Sequence, residues 1–419
     1  MESIDWSKKN IFFLPNEIQE CSDPPKPTEL RKKIEPWLTA VFQSEHLSLL
    51  LGTGLTTGVC KEASVCPTAM QRIDFESFEY KDEISAYADK SADSLERGHA
   101  NFEDDFRSAM ELLNGLLILE DDKSSILEDI INKRLIEFVQ ALIANERSVI
   151  DSPRCKDAIN LLKRFLISFS SRTATRDRLH IFTTNYDRFI EYALDSAGIY
   201  ILDRFIGKLK PIMRMHKIEL DYHYNPPGIR GEPHYVEGVV RYTKLHGSLD
   251  WRLGNNEIYK YPLPFGEEPK DISNPYDSYI IYPNASKGID TAYFPYSELF
   301  RDFSSAVCRP NSVLVTYGYG FGDSHINRII HDMLTIPSTH LVIISFDTAD
   351  GRIEKFVSKC NESQLTLLIG NHFGNMRDLS ENYLPKPAID RITDREQKIL
   401  EKRGKNQKLS PKDDDSDAT

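Results

Sequence analysis

An α/β fold, with a doubly wound parallel sheet and a helical subdomain inserted into it, is what the 419-residue sequence predicts. Three observations carry this expectation. The stretch "LSLLLGTGLTTG" from Leu47 is continuously apolar and then breaks into a glycine-rich turn, as suits a parallel strand covered on both faces. Between about residues 76 and 172, three long segments repeat apolar residues at three- and four-residue spacing, the mark of amphipathic helices. The last third alternates strand-like runs ("SVLVTYG", "THLVIISFD", "LTLLIG") with helix-like ones, the βαβα order of a doubly wound sheet.

In chain order, residues 1–35 are rich in proline and charge ("SDPPKPTELRKK") and are expected as an N-terminal arm or partner-docking segment. A helix over 34–46 and the strand at Leu47 open the first part of a Rossmann-like domain, residues 36–75. The helical insert takes 76–172. The second part spans 173–395, starting with the strand "LHIFTTNYD" and the helix "DRFIEYALDSAGI", which Gly198 stops. Residues 199–296 are less regular, with β-like runs such as "VEGVVRYTKLHG", "EIYKYPL" and "SYIIYP". The charged tail 396–419 lacks apolar periodicity and is expected to be disordered.

Composition narrows the function. Hydrophobic residues at 40% and aromatics at 10% suffice for a substantial core. A net charge of −12 argues against non-sequence-specific nucleic-acid binding, which needs a broad basic field, and leaves a local basic groove open. The six cysteines (Cys21, Cys60, Cys66, Cys155, Cys308, Cys360) include no CxxC pair, so no zinc or other metal is expected. The N-terminus has no apolar signal core, and no run approaches the roughly 20 apolar residues of a membrane span. A cytoplasmic protein with free thiols is the expectation.

Five stretches place polar chemistry at strand ends. Glycines in the turn Gly52-Thr53-Gly54 would let backbone amides approach an anion. Its GxGxxxG spacing is not that of ordinary dinucleotide folds, and no Lys-Ser/Thr follows, which excludes a P-loop. "TTNYD" (Thr183 to Asp187) fits a capping box from Thr184 to Asp187, and equally fits polar side chains facing a ligand crevice. In "RYTKLHGSLDWR", His246 precedes Gly247, so an imidazole could meet a substrate closely; structural and general-base readings both stand. "TYGYGFGD" sets Gly318, Gly320 and Gly322 before a helix capped by Asp323 or Ser324. In "VIISFDT", Ser345 and Asp347 end a strand.

Taken in order, these motifs resemble the sirtuin fold, and more closely the bacterial sirtuin-like NAD-cleaving proteins of antiphage defence, over about residues 36–385. The resemblance implies NAD as substrate, cradled at its pyrophosphate by Gly52, Thr53 and Gly54. Asn185 would hold the nicotinamide ribose and the attacking water, Asp187 would support the ribose pocket, and His246 would be the catalytic base. Gly318, Tyr319 and Gly320 would lie near the adenosine ribose and Ser345 near the adenosine. Thr184 stands where deacylase sirtuins carry glutamine, and their zinc-binding CxxC pairs are absent. These departures favour NAD hydrolysis over deacylation. The implied protein depletes NAD in antiviral defence, forms a homo-oligomer, and is switched on with a HerA-type hexameric ATPase. The arm and the insert are the expected contact surfaces, and direct contact with nucleic acid is left open. A non-catalytic NAD- or ADP-ribose-binding scaffold and a zinc-independent deacylase are the alternatives.

Overall fold

Side-chain alternation explains how the sheet buries both faces. The computed structural model describes residues 4–15, 17–19, 25–67, 71–94, 98–172, 176–215, 220–224, 234–255, 257–269, 279–281 and 294–386. The chain opens with strands β1 (Asn10–Leu14) and β2 (Glu17–Gln19), helix α1 (Pro27–Phe42), strand β3 (His46–Leu51) and helix α2 (Thr53–Glu62). Helices α3 (Lys81–Ser94), α4 (Phe102–Ile118), α5 (Lys123–Asp151) and α6 (Cys155–Ser170) precede β4 (His180–Thr183) and α7 (Phe189–Ser196). Short strands follow: β5 (Tyr200–Leu202), β6 (Phe205–Ile206), β7 (Ile212–Met213), β8 (His223–Tyr224) and β9 (His234–Tyr235). Then come β10 (Val239–Lys244), β11 (Gly247–Gly254), β12 (Glu257–Lys260) and β13 (Tyr279–Ile281). The rest is α8 (Tyr296–Val307), β14 (Ser312–Tyr317), α9 (Ser324–Leu334), β15 (His340–Ser345), α10 (Arg352–Val357), β16 (Leu365–Gly370), α11 (Asn371–Gly374) and α12 (Met376–Asn382).

Nine strands form the main sheet in the order β2-β1-β16-β15-β14-β3-β4-β10-β5. All pairs from β16 to β5 are parallel, and β1 and β2 add antiparallel at one edge. Along β3, Leu47, Leu49 and Leu51 enter one hydrophobic core and Leu50 the other; along β14, Val313, Val315 and Tyr317 oppose Leu314 in the same way. This period of two places helices on both sides: α1, α2, α6 and α7 on one face, α8, α9 and α10 on the other. The chain runs from β3 outward to β4 and β10, then returns to β14 on the other side of β3. The direction of winding therefore reverses between β3 and β14, where open α/β sheets form their ligand crevice. A second, five-stranded sheet (β13-β11-β12-β7-β6) and the β8–β9 ribbon fill the irregular region.

Two elements differ from the sequence expectation. Residues 10–14 of the expected arm are a sheet strand, with Ile11 opposite Ile369 and Phe12 opposite Leu368. Their backbone groups pair with β16 on one side and β2 on the other, and their side chains are largely buried. Helix α6, expected within the insert, packs Leu162, Phe165 and Phe169 on the sheet. The insert's own core belongs to α3, α4 and α5, around Ile84, Phe106, Leu113, Ile131 and Phe138. The tail 396–419 lies outside the described residues.

One buried ion pair fastens the insert to the sheet domain. Glu146 of α5 accepts from Arg188 Nη2 (2.6 Å) and Nε (3.2 Å), from the Arg188 amide (2.9 Å) and from the Gly266 amide (3.0 Å). Burial pushes the Glu146 carboxyl above its ordinary range, while Arg188 and the Gly266 amide favour its charged form. Removing one partner leaves the other charge buried without compensation. Arg188→Met is therefore expected to cost about 3–5 kcal/mol in urea unfolding, and Glu146→Leu added to it to recover a large part. A single-variant loss below about 1 kcal/mol contradicts this account of the joint.

Candidate active site

Three glycines set the geometry at the switch point. A Cβ on Gly52 would lie 2.4 Å from the Gly318 carbonyl oxygen, and one on Gly54 would lie 2.5 Å from the Gly318 Cα. Gly318 itself has φ +60°, which side chains other than glycine's disfavour. The end of β3 and the end of β14 thus touch backbone to backbone. The Gly54 amide donates to the Gly318 carbonyl (3.0 Å) and the Gly52 amide to the Tyr317 carbonyl (3.1 Å). Two amides expected to cradle an anion are used inside the protein, so the glycines serve this close approach first.

The "TTNYD" segment leaves β4 on top of that seam. Helix α7 starts at Phe189, and its N-terminal position, Arg188, caps it with no side chain. The capping box expected from Thr184 to Asp187 is not formed. Instead the Asn185 amide group donates from Nδ2 to the Gly52 carbonyl (3.0 Å) and to Thr56 Oγ1 (3.0 Å). Thr56 in turn donates its hydroxyl proton to Asp187 Oδ2 (2.5 Å). Donation by Nδ2 orients the amide. Its Oδ1, buried, has no hydrogen-bond partner among the described residues. An orphaned buried acceptor is costly, and in an oriented amide it marks a place for a donor to bind. Tyr186 points the other way, into the insert. Its ring meets Phe138 edge-on at 5.7 Å and its hydroxyl donates to Glu103 of α4 (3.0 Å), closing the insert's core.

Lys244, at the end of β10, is buried and secures the same loop. Its Nζ donates to the carbonyls of Tyr186 (3.2 Å) and Asp187 and to Glu191 Oε1 (3.0 Å). His246 follows in the turn between β10 and β11, where Gly247 has φ +85°. Glycine is required there by the turn, whatever it also allows a ligand. His246 Nε2 lies 2.9 Å from Asp323 Oδ2, with both side chains buried. The other oxygen of Asp323 accepts from the His325 (3.0 Å) and Ile326 (3.4 Å) amides and caps α9. A helix N-terminus thus holds the carboxylate that holds the imidazole. A carboxylate on Nε2 favours the tautomer protonated there and makes the ring a stronger base at Nδ1.

These groups border a cleft of about 210 Å³. Of the residues singled out from sequence, Gly52, Thr53, Thr184, His246, Tyr319, Gly320, Gly322 and Asp323 line it. Asn185 and Asp187 are not in the lining: Asn185 is bonded to the lining residue Gly52, and Asp187 lies a step further back, bonded to Thr56. Gly54 and Gly318 form the seam beneath, and Ser345 is buried at the end of β15, away from the lining. Sequence reasoning missed Thr56, the role of Asp323 as partner of His246, Arg352, and the insert's His99, Asn101 and Glu103, all but Thr56 in the cleft wall. Arg352 donates from Nε to the Gly320 carbonyl (2.8 Å) and brings a positive charge to the rim. Arg72 is taken up by Asp105 (2.8 Å) and Asp89 (2.6 Å) of the insert. Among the described residues no group of three His, Cys, Asp or Glu side chains could hold a metal ion, and no helix is long and apolar enough to cross a membrane.

Burial lifts the Asp187 carboxyl above its ordinary range, against Lys244 and Thr56, which favour its charged form. A carboxyl lifted in the folded state holds its proton more tightly there than in the unfolded chain. Its ionisation therefore costs stability above the unfolded-state pKa and nothing below it. Asp187→Asn is expected to be more stable than wild type near about pH 7, with the gap closing as pH falls through the ordinary carboxylate range. Urea titrations of both proteins across pH check this; a gap that widens on acidification contradicts it.

A search of curated proteins finds no match to the chain. Residues 179–364 match the SIR2-like domain, so a SIR2-like domain is present, and it takes in the Asn185 loop, His246 and the Gly318–Asp323 loop.

Proposed function

We propose that this chain is a sirtuin-like NAD+ glycohydrolase that releases nicotinamide and ADP-ribose. The observation that carries the reading is the meeting of the oriented Asn185 amide, its Oδ1 unpartnered among the described residues, with the His246–Asp323 pair beside one cleft at the switch point. The SIR2-like match over these loops supports it.

The cleft tests the fit. Ligand pockets usually measure roughly 300–1,000 Å³, and this one, at about 210 Å³, suits the reacting half of a dinucleotide rather than the whole. Thr184 and the Gly52-Thr53 turn would border the nicotinamide ribose, and Arg352 would face the pyrophosphate. Asn185 Oδ1 would accept a hydrogen bond from a ribose hydroxyl or from the attacking water. In the reaction the C1′–nitrogen bond breaks with its electron pair passing to nicotinamide, whose ring charge is thereby neutralised. Water oxygen bonds to C1′, and the water proton goes to His246. Asp323 stabilises the resulting imidazolium. Fixing water and ribose in place supplies several kcal/mol of the barrier reduction.

The wider role belongs to the same proposal: NAD depletion in antiviral defence by a cytoplasmic homo-oligomer, switched on with a HerA-type hexameric ATPase. The motif resemblance supports this role. The insert, built on its own core beside the cleft, is the surface through which a partner would act on His99, Asn101 and Glu103.

Purified protein, alone and with its ATPase, is expected to release nicotinamide from NAD without any acylated peptide, as read by chromatography. His246→Ala is expected to lower the rate by about 10²–10⁴, and Asn185→Ala by a comparable factor. Asp323→Asn should cost less, because it removes support for the imidazole rather than the imidazole. Release that needs an acylated peptide identifies a deacylase instead. Binding of NAD with no release identifies a scaffold.

A further inference from the structure

A second cavity lies at the other end of the sheet. It measures about 500 Å³ and opens between the amino ends of β3, β4 and β10 and the helix α8. Five arginines line it: Arg178, Arg204, Arg241, Arg301 and Arg309. In a chain whose net charge is −12, that concentration is local. We propose that this cavity is a second ligand site, which takes a small molecule carrying two or more phosphates.

The arginines fall into two groups. Arg178 and Arg204 are buried and locked. Arg178 donates to Asp221 and to the carbonyls of Val236 (2.6 Å) and Tyr222 (2.6 Å); Arg204 grips Asp302 through two bonds (2.7 and 2.5 Å). They supply fixed positive charge. Arg241 shares Asp221 with Arg178, at 2.9 Å. Arg301 and Arg309 are 65% and 46% exposed and pair with Glu298 and, at 3.5 Å, with Asp177. Such exposed pairs are worth about 0–1 kcal/mol, so both guanidiniums can turn to a ligand at little cost. Among the described residues, the carboxylates paired with the five arginines are four: Asp177, Asp221, Asp302 and Glu298.

His180, on β4, lines the same cavity, and burial first, then Arg241, Arg309 and Arg204, push its imidazole well below the ordinary range. Guanidinium forks match phosphate oxygens two at a time, which favours phosphate over a simple carboxylate. The volume falls in the usual range of roughly 300–1,000 Å³ for small-molecule pockets. Nucleic-acid backbone asks for an extended basic stripe, whereas these charges converge in a hollow. The strands that start here, β3, β4 and β10, lead at their other ends to Gly52, Asn185 and His246. At about 3.3 Å per residue, the six residues of β3 set the two sites some 16–20 Å apart. Binding here therefore does not compete with ligand in the cleft.

Calorimetry on the full chain with inorganic triphosphate, ATP and a short single-stranded oligonucleotide, each in a separate arm, tests the proposal. The expected result is near-stoichiometric binding of triphosphate or ATP, unaffected by saturating nicotinamide, which carries no phosphate. The double variant Arg301→Glu/Arg309→Glu should weaken it about tenfold or more while leaving circular dichroism unchanged. Arg301→Gln and Arg309→Gln, tested singly, serve if the double variant misfolds, and ligand should raise the wild-type melting temperature. No binding of either phosphate compound at millimolar concentration overturns the proposal. So do affinity unchanged in the variants, competition by nicotinamide, and binding of the oligonucleotide alone.

Discussion

The contact of three glycines at the switch point is the constraint on which the site depends. Strands β3 and β14 are neighbours, and their exit loops must pass each other before either can reach the crevice. Gly52, Gly54 and Gly318 let the two backbones touch, and any side chain there would meet main-chain atoms at less than 3 Å. Two consequences follow. The Gly52 carbonyl comes within reach of Asn185 Nδ2 and fixes that amide. The loop after Gly318 is aimed so that Asp323 caps α9 and meets His246. The same contact therefore positions the Asn185 amide, on the β4 side of the reversal in strand order, and Asp323, the partner of His246, on the β14 side.

Buried charge does the rest of the positioning. Lys244 ties the carbonyls of Tyr186 and Asp187 to the end of β10, and Arg188 ties the following residue to Glu146 on the insert. Asn185 immediately precedes these anchors. Ion pairs of this kind add little net stability but are costly to break, so they hold a unique geometry. Tyr186, plugged into the insert's core, links the Asn185 loop to the domain that supplies His99, Asn101 and Glu103 to the cleft.

Much of this is legible in the sequence, for a physical reason. Parallel strands covered on both faces read as apolar runs, and polar residues that interrupt such runs at their carboxyl ends mark the crevice. Hence Gly52, Thr184, Asn185 and His246 stand out in the sequence itself. Contacts between distant segments leave no local trace. Asp323 stands 77 residues beyond His246 and reads only as a helix cap, which it also is. Thr56 lies within a helix, and nothing nearby announces that it bridges Asn185 and Asp187. Thr184-x-x-Asp187 matches a capping box, but the loop runs on to Phe189 because its carbonyls are held by Lys244. The β1 strand is hidden in a polar, proline-rich neighbourhood, and only its pairing with β16 makes it part of the sheet.

The central claim is that water, delivered beside Asn185 and His246, takes the ribose from nicotinamide. Running the reaction in water enriched in oxygen-18 and weighing the ADP-ribose tests it most directly. One labelled oxygen per ADP-ribose, introduced at C1′ as nicotinamide is released, is the result the account predicts. A cyclic product without label, or ribose transferred to another acceptor while water is left unused, would contradict it.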